Sequence, residues 1–319
     1  MRFSVFVPTY CRPEMLRRNL EALALQTRCP DEVLVSLRPD EDPEGMATVE
    51  AFAAAHPDFP VRKVLVHVPG IVPAENALLE AATGDVACLL DDDAIPRPFW
   101  LENLARHYES DPRVGGVAGP AINVVDGKPD ERLARFRNRV IYPGLILDQS
   151  TRHTRKVVEV DHYRGANMSL LLEPLRRHGG FEGRLLGDCF RFELDACLGV
   201  QRQGYRLLFD PEVEADHHEA PRRTGTGRFE RITVHNNAAN ETFVLLKHWG
   251  GGPRGWLHLL YAFLVGNFPN PGLAWALGGG ILRLFWRNRY LLGLGALLPA
   301  WRGRLTGWRM YRALRREQP

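Results

Sequence analysis

The chain has 319 residues, 45% hydrophobic and 25% charged, which excludes a disordered, collagen-like or disulfide-scaffold protein and leaves room for one large or two modest domains. A net charge of +3 is too small for a nucleic-acid binder, but it is unevenly spread. From residue 250 onward ten arginines face one acid, Glu317, a net of +9, whereas the preceding residues hold 31 basic and 37 acidic groups, a net of −6.

In chain order, residues 3–7 form a short apolar run that ends at Pro8-Thr9-Tyr10. Pro13 and spaced apolar positions at Met15, Leu16, Leu20, Leu23 and Leu25 follow, a strand, loop and helix. The pattern returns as a strand at 32–37, an alanine-rich helix at 45–56, a strand at 61–68, a helix at 73–82 closed by Thr83-Gly84-Asp85, and a strand at 86–90. Near-continuous apolar strands alternating with helices predict a doubly wound, mostly parallel α/β sheet covered on both faces.

In such sheets a ligand sits beyond the carboxyl ends of the strands, so the residues after each strand carry the chemistry. No GxGxxG follows the first strand and no GxxxxGK[ST] occurs anywhere, so the glycine-rich phosphate loops of the dinucleotide and P-loop classes are missing. Asp91-Asp92-Asp93 follows the fourth strand directly. Three adjacent carboxylates repel one another and suit a hard divalent cation, Mg²⁺ or Mn²⁺, that bridges protein to diphosphate. A solvated acidic turn before the helix at 98–109 is the plain alternative.

Five scattered cysteines, in no CxxC pair, read as reduced thiols of a cytosolic compartment. The first residues reach Pro8 before a signal-peptide apolar stretch develops, so no secretion signal is expected. The tail holds five of the seven tryptophans and apolar blocks at 256–268, 272–282 and 290–300, each shorter than the ~18–20 residues that span a bilayer. Interfacial helices on an anionic surface fit better, with helices packed on the domain or on a second subunit as the alternative.

Several blocks in order resemble family 2 glycosyltransferases of the GT-A type. They are Val7-Pro8-Thr9-Tyr10 with Arg12, Ala74 and Asn76 ahead of Gly84-Asp85, Leu90-Asp91-Asp92-Asp93, Gly165-Ala166-Asn167, Phe192-Glu193-Leu194-Asp195, Gly204-Tyr205-Arg206, Phe209-Asp210-Pro211 and Asp216-His217-His218, over about residues 1 to 220. The resemblance implies a nucleotide-sugar donor (UDP-, dTDP- or GDP-linked), a divalent metal, and transfer with inversion. It also implies Pro8, Thr9, Arg12, Asp40, Asn76, Asp85 and Asp91 around the donor, and Asp91, Asp93 and His217 around the metal. Glu193 stands where the family usually has its base, with Asp195 two residues on.

Some positions depart from the family pattern. Ser36-Leu37-Arg38 replaces the acid expected after the second strand, the nearest acids being Asp40, Glu41 and Asp42; Glu75 replaces an arginine, and Phe192 an acid. From the residues themselves, an inverting transfer needs one carboxylate apart from the metal cluster. Glu193 and Asp195 open a helical stretch at 192–203, where the helix dipole favours the ionised form but where acids also serve stability alone. The basic, glycine-containing 222–228 reads either as a lid over a diphosphate or as a surface loop.

These readings combine into a catalytic domain at 1–235 and a basic helical segment at 236–319. Together they describe an enzyme at the inner face of the membrane that passes a sugar to a glycan or lipid-linked acceptor, with an oligomer left open. The alternatives are a sugar-phosphate nucleotidyltransferase and a non-catalytic nucleotide- or carbohydrate-binding subunit.

Overall fold

A computed structural model describes residues 1–130, 132–135, 137–218, 230–267, 270–278 and 294–317. It begins with β1 (Phe3–Pro8), α1 (Pro13–Ala24), β2 (Glu32–Leu37), α2 (Pro43–Ala55), β3 (Val61–Leu65), α3 (Ile71–Ala81) and β4 (Val86–Leu90). Pro13 and Pro43 stand in the first turns of α1 and α2, where a missing N–H costs nothing, and the Asp42 carboxylate caps α2 by accepting the Gly45 N–H at 2.9 Å. The strand expected at 61–68 stops at Leu65, because its partner β2 ends at Leu37, directly opposite.

Next come β5 (Ala94–Pro96), α4 (Trp100–Ser110), β6 (Val114–Ala118), β7 (Ala121–Val125), β8 (Lys128–Pro129), β9 (Arg139–Ile141), β10 (Leu145–Leu147) and β11 (Val158–Glu159). After them follow β12 (Asn167–Leu171), α5 (Leu172–His178), α6 (Phe192–Gln201), β13 (Arg206–Phe209) and β14 (Ala215–His217). The chain then forms α7 (Arg231–Trp249), α8 (Pro253–Leu264), the short pair β15 (Gly266–Asn267) and β16 (Asn270–Pro271), and a C-terminal helix, Leu294–Glu317. It divides into two compact units: Met1–Asn138 with Asp148–Glu182 and Ala196–Pro221, and Arg139–Leu147 with Gly183–Asp195 and Arg222–Pro319.

The first unit is built on an eight-stranded sheet in the order β11-β13-β6-β12-β4-β1-β2-β3. β3, β2, β1 and β4 run parallel, and β12 lies antiparallel between β4 and β6. Every residue of β2 and β4 is buried, as expected of strands covered on both faces. Leu16, Leu20 and Leu23 of α1 and Trp100, Leu101 and Leu104 of α4 pack on Phe3, Val5, Val7, Val33, Val35, Cys88 and Leu90, each such large side chain contributing about 1.5–3 kcal/mol through burial. A second sheet, β5-β14-β7-β8, is set by pairing β14 with β5 on one side and β7 on the other.

In the second unit the C-terminal helix packs on α7 at small residues. A Cβ on Gly303 would lie 2.2 Å from the His235 carbonyl, and one on Gly307 2.3 Å from that of Ala239, so only glycine permits this approach. Arg304, between them, is fully buried and donates to the Asn270 carbonyl at 2.7 Å. All five cysteines are free.

At the amino ends of the strands, Glu32 is only 4% exposed and accepts from Ser4 Oγ, the Thr83 N–H and Arg62 Nη2, each at 2.6 Å. Burial alone would raise its carboxyl, but these donors outweigh it and hold the pKa down to about 2. A carboxylate whose pKa is lower folded than unfolded stabilises above its unfolded value, so this contribution is present above about pH 4.3 and lost as pH falls towards 2. Glu32→Gln should cost about 2 kcal/mol at neutral pH and flatten the acid limb of stability, as measured by urea unfolding between pH 2 and 7.

Candidate functional site

The order of chain addition locates the site. From β1 the sheet grows outward through β2 and β3, then the chain returns to lay β4 on the other side of β1. The residues leaving β1 and β4 therefore stand side by side at the carboxyl ends of neighbouring strands, at the switch in strand order where doubly wound sheets bind ligands. Pro8 closes β1, with Thr9 and Arg12 in its loop; Asp91, Asp92 and Asp93 follow β4.

These two loops are tied to each other through the acids. Asp92 is buried and accepts from Thr9 Oγ1 at 2.7 Å and from Arg12 Nη1 at 2.8 Å. Burial pushes its carboxyl above the usual range, opposed by the Arg12 charge and the Thr9 hydroxyl. Arg12 Nη1 also lies 3.3 Å from Asp93 Oδ2. Burial would lower the Arg12 guanidinium, but the Asp92, Asp93 and Asp91 charges raise it instead. Asn19, fully buried in α1, donates to the main-chain carbonyls of Asp91 and Ala94 at 3.2 and 2.8 Å, which fixes the turn itself.

His217 arrives from the other direction, on β14. In the β5–β14 pairing it stands opposite Ala94, and the next N–H, of His218, donates to the Asp93 carbonyl at 2.9 Å. His217 Nε2 lies 3.2 Å from Asp93 Oδ1, and Nδ1 lies 3.2 Å from Asn123 Oδ1 on the neighbouring β7. A proton on Nδ1 shared with Asn123 leaves the Nε2 lone pair on the side of the carboxylates. Asp91, Asp93 and His217 each offer one ligand atom, all within 4.8 Å of one another. Two carboxylates and a neutral imidazole at this spacing fit a Mg²⁺- or Mn²⁺-sized cation.

Other expected residues lie elsewhere. Asp85 sits at the amino end of β4, where its Oδ2 accepts the Arg2 N–H at 2.8 Å, a strand's length from Asp91. Asn76 clasps the main chain of Phe181, donating to its carbonyl at 2.8 Å and accepting its N–H at 2.9 Å. The Asp40 side chain is 88% exposed, with His67 Nδ1 3.9 Å from its Oδ2. In the same loop Arg38 lies over the Tyr10 ring at 5.3 Å and pairs with Glu41, while Asp42 accepts the Cys11 N–H at 2.7 Å, so the ends of β1 and β2 are joined without an acid at position 38. The basic stretch 222–228 lies outside the described residues.

In the second unit, Glu193 and Asp195 occupy the first turn of α6 and differ in surroundings. Glu193 is half-buried. Asp195 is fully buried, with Lys247 Nζ 2.8 Å from Oδ2 and His248 Nε2 2.9 Å from Oδ1. Lys247 and His248, with Asn240 and Glu241, belong to α7, and sequence reasoning missed them. Their signal is a pair of adjacent polar residues, Asn240-Glu241, repeated seven residues later as Lys247-His248 on either side of the apolar run 243–246.

Arg12→Met leaves Asp92 buried without its guanidinium and should cost on the order of 3 kcal/mol in urea unfolding. Adding Asp92→Asn should return part of that loss, and a strictly additive double mutant would show that the pair is not coupled.

The comparisons agree with this architecture. A family profile described as "Glycosyl transferase family 2" matches residues 4–173. A glucosyl-dolichyl phosphate glucuronosyltransferase of Haloferax volcanii is 27% identical over 231 residues, 68% of this chain and 69% of that one. A pre-mycofactocin glycosyltransferase of Mycobacterium tuberculosis is also 27% identical, over 265 residues and 83% of this chain, which spans about half (49%) of that relative's length. Among solved structures, the mannosyltransferase PcManGT of Pyrobaculum calidifontis, in complex with GDP-Man and Mn²⁺, superposes with a TM-score of 0.57 at 19% identity, covering 96% of this chain and 87% of the other, a likeness of fold. The matched 4–173 runs from the first strand past the acidic turn of β4 to the strand that β4 pairs with, and a match of that extent places the chain in glycosyl transferase family 2.

Proposed function

We propose that the chain transfers a sugar from a UDP-, dTDP- or GDP-linked donor to an acceptor hydroxyl with inversion, and that it depends on Mg²⁺ or Mn²⁺. The observation that carries this reading is the convergence of Asp91, Asp93 and His217 at the switch point of the sheet. A cation held there would neutralise the charge that builds on the departing diphosphate. Arg12 and Thr9 orient the acids by holding Asp92, and Asn123 sets the imidazole tautomer. In this reading Pro8, Thr9, Arg12 and Asp91, on the loops after β1 and β4, face the donor together with Asp40 after β2, while the contacts of Asn76 with Phe181 and of Asp85 with Arg2 favour a scaffold role for those two.

Inversion needs a single displacement, hence one base for the acceptor hydroxyl. Glu193 fits that role better than Asp195, whose two oxygens are taken by Lys247 and His248. Asp93→Ala should lower nucleoside diphosphate release from UDP-, dTDP- and GDP-sugars in Mn²⁺ by about 10²–10³-fold with an unchanged melting temperature. Full activity of that variant after chelation would remove the reading.

The acceptor we propose is a glycan or a lipid-linked sugar at the inner face of the membrane, reached by peripheral attachment. No helix among the described residues is long and apolar enough to cross a membrane. α8 nevertheless exposes Trp256, Leu257, Leu260 and Leu264, at 62, 44, 54 and 45%, along one side, next to a chain end rich in arginine. The protein should float with anionic liposomes, release in high salt, and lose most of its binding on Trp256→Ser with Leu260→Ser. Equal partition onto neutral and anionic vesicles would exclude an electrostatic anchor.

A further inference from the structure

Within the second unit, α7 places four polar side chains along one side: Asn240 and Glu241, and two turns later Lys247 and His248. All four meet the segment that leads into and opens α6. Asn240 clasps Leu186, accepting its N–H at 2.8 Å and donating to its carbonyl at 2.9 Å. Glu241, fully buried, receives Arg191 Nη2 at 2.9 Å. Lys247 and His248 hold Asp195 as described above. Between these fastenings, Cys189 and Arg191 have φ of 53° and 80°, a backbone conformation that non-glycine residues keep only where surroundings impose it.

Glu193 stands midway between two of the fastened residues, Arg191 and Asp195, and is less buried than either. We infer that this side of α7 positions Glu193, with Asp195 as its anchor and Lys247, His248, Glu241 and Asn240 as positioning residues. The inference rests on Glu193 being the base. Asp195 is unsuited to that task, because it is shut from solvent and its oxygens already accept from an ammonium and an imidazole. Its value is geometric: a carboxylate fixed two residues beyond Glu193 sets the rotation of the first turn of α6 and hence the direction of the Glu193 side chain.

The test uses the full chain and whichever of UDP-glucose, dTDP-glucose and GDP-mannose turns over with Mn²⁺. Lys247→Met and Asp195→Asn should each lower kcat about 10–100-fold, leave donor KM and nucleoside diphosphate binding within twofold, and speed amide exchange in peptides covering 186–195. The double variant Asp195→Asn with Lys247→Gln, which restores a neutral hydrogen-bonded pair, should regain at least tenfold over Asp195→Asn alone. A lost base cannot be rescued in this way, so an inactive double variant beside an active Glu193→Gln would make Asp195 the base and remove both readings. An inactive Glu193→Gln beside fully active Lys247→Met and Asp195→Asn would keep the base and overturn the positioning role. So would losses of kcat that merely track losses of melting temperature.

Discussion

Mutual repulsion among three consecutive carboxylates is the constraint around which the first unit is arranged. Each acid at the end of β4 is relieved in a different way. Asp92 turns inward and is met by Thr9 and Arg12 from the end of β1; Asp93 is shared between Arg12 and His217; Asp91 stays half-exposed while Asn19 holds its carbonyl. These neutralising groups come from loops and strands far apart in sequence. The turn is therefore tolerable only when β1, β4, α1 and β14 are all in place, and charge and fold specify one another.

A buried charge generally costs more than a well-packed apolar side chain of the same volume, and the second unit buries several. Glu241 faces Arg191, with Arg304 3.9 Å from its other oxygen, and Asp195 faces Lys247. What such pairs give in return is uniqueness of register. An apolar helix face can slide by a turn at small cost, whereas a carboxylate displaced from its guanidinium is left desolvated and alone. Gly303 and Gly307 act in the same sense, admitting the C-terminal helix to α7 at one height only.

Much of the first unit was legible because its signals are local. The strands at β1, β2 and β4 are apolar runs, the helices after β1 and β2 carry proline or aspartate at the start, and the acidic turn sits where a doubly wound sheet presents ligands. The antiparallel β12 was not legible, since an apolar five-residue strand carries no mark of direction. Adjacency in sequence to a strand did not reveal that Asp85 bonds the Arg2 main chain at the amino end of β4, nor did a motif position reveal the grip of Asn76 on Phe181. The polar side of α7 was missed because each of its residues is unremarkable alone. Only the segment 186–195, folded back against it, gives the pattern meaning.

His217 is held in place by backbone pairing on both sides of β14, opposite Ala94 on β5 and Asn123 on β7. Side chains on a strand alternate between faces, so a slip of one residue in either ladder would turn the imidazole to the opposite face and bring Asp216 or His218 forward. A change of length in a loop between β8 and β12 leaves this register untouched, because the histidine is placed by its own two ladders. A single insertion between Pro211 and His217 would shift that register. Relatives that diverge in the size of their middle loops can thus keep one histidine in register, and it is the spacing from the Asp210-Pro211 turn to that histidine that selection must guard.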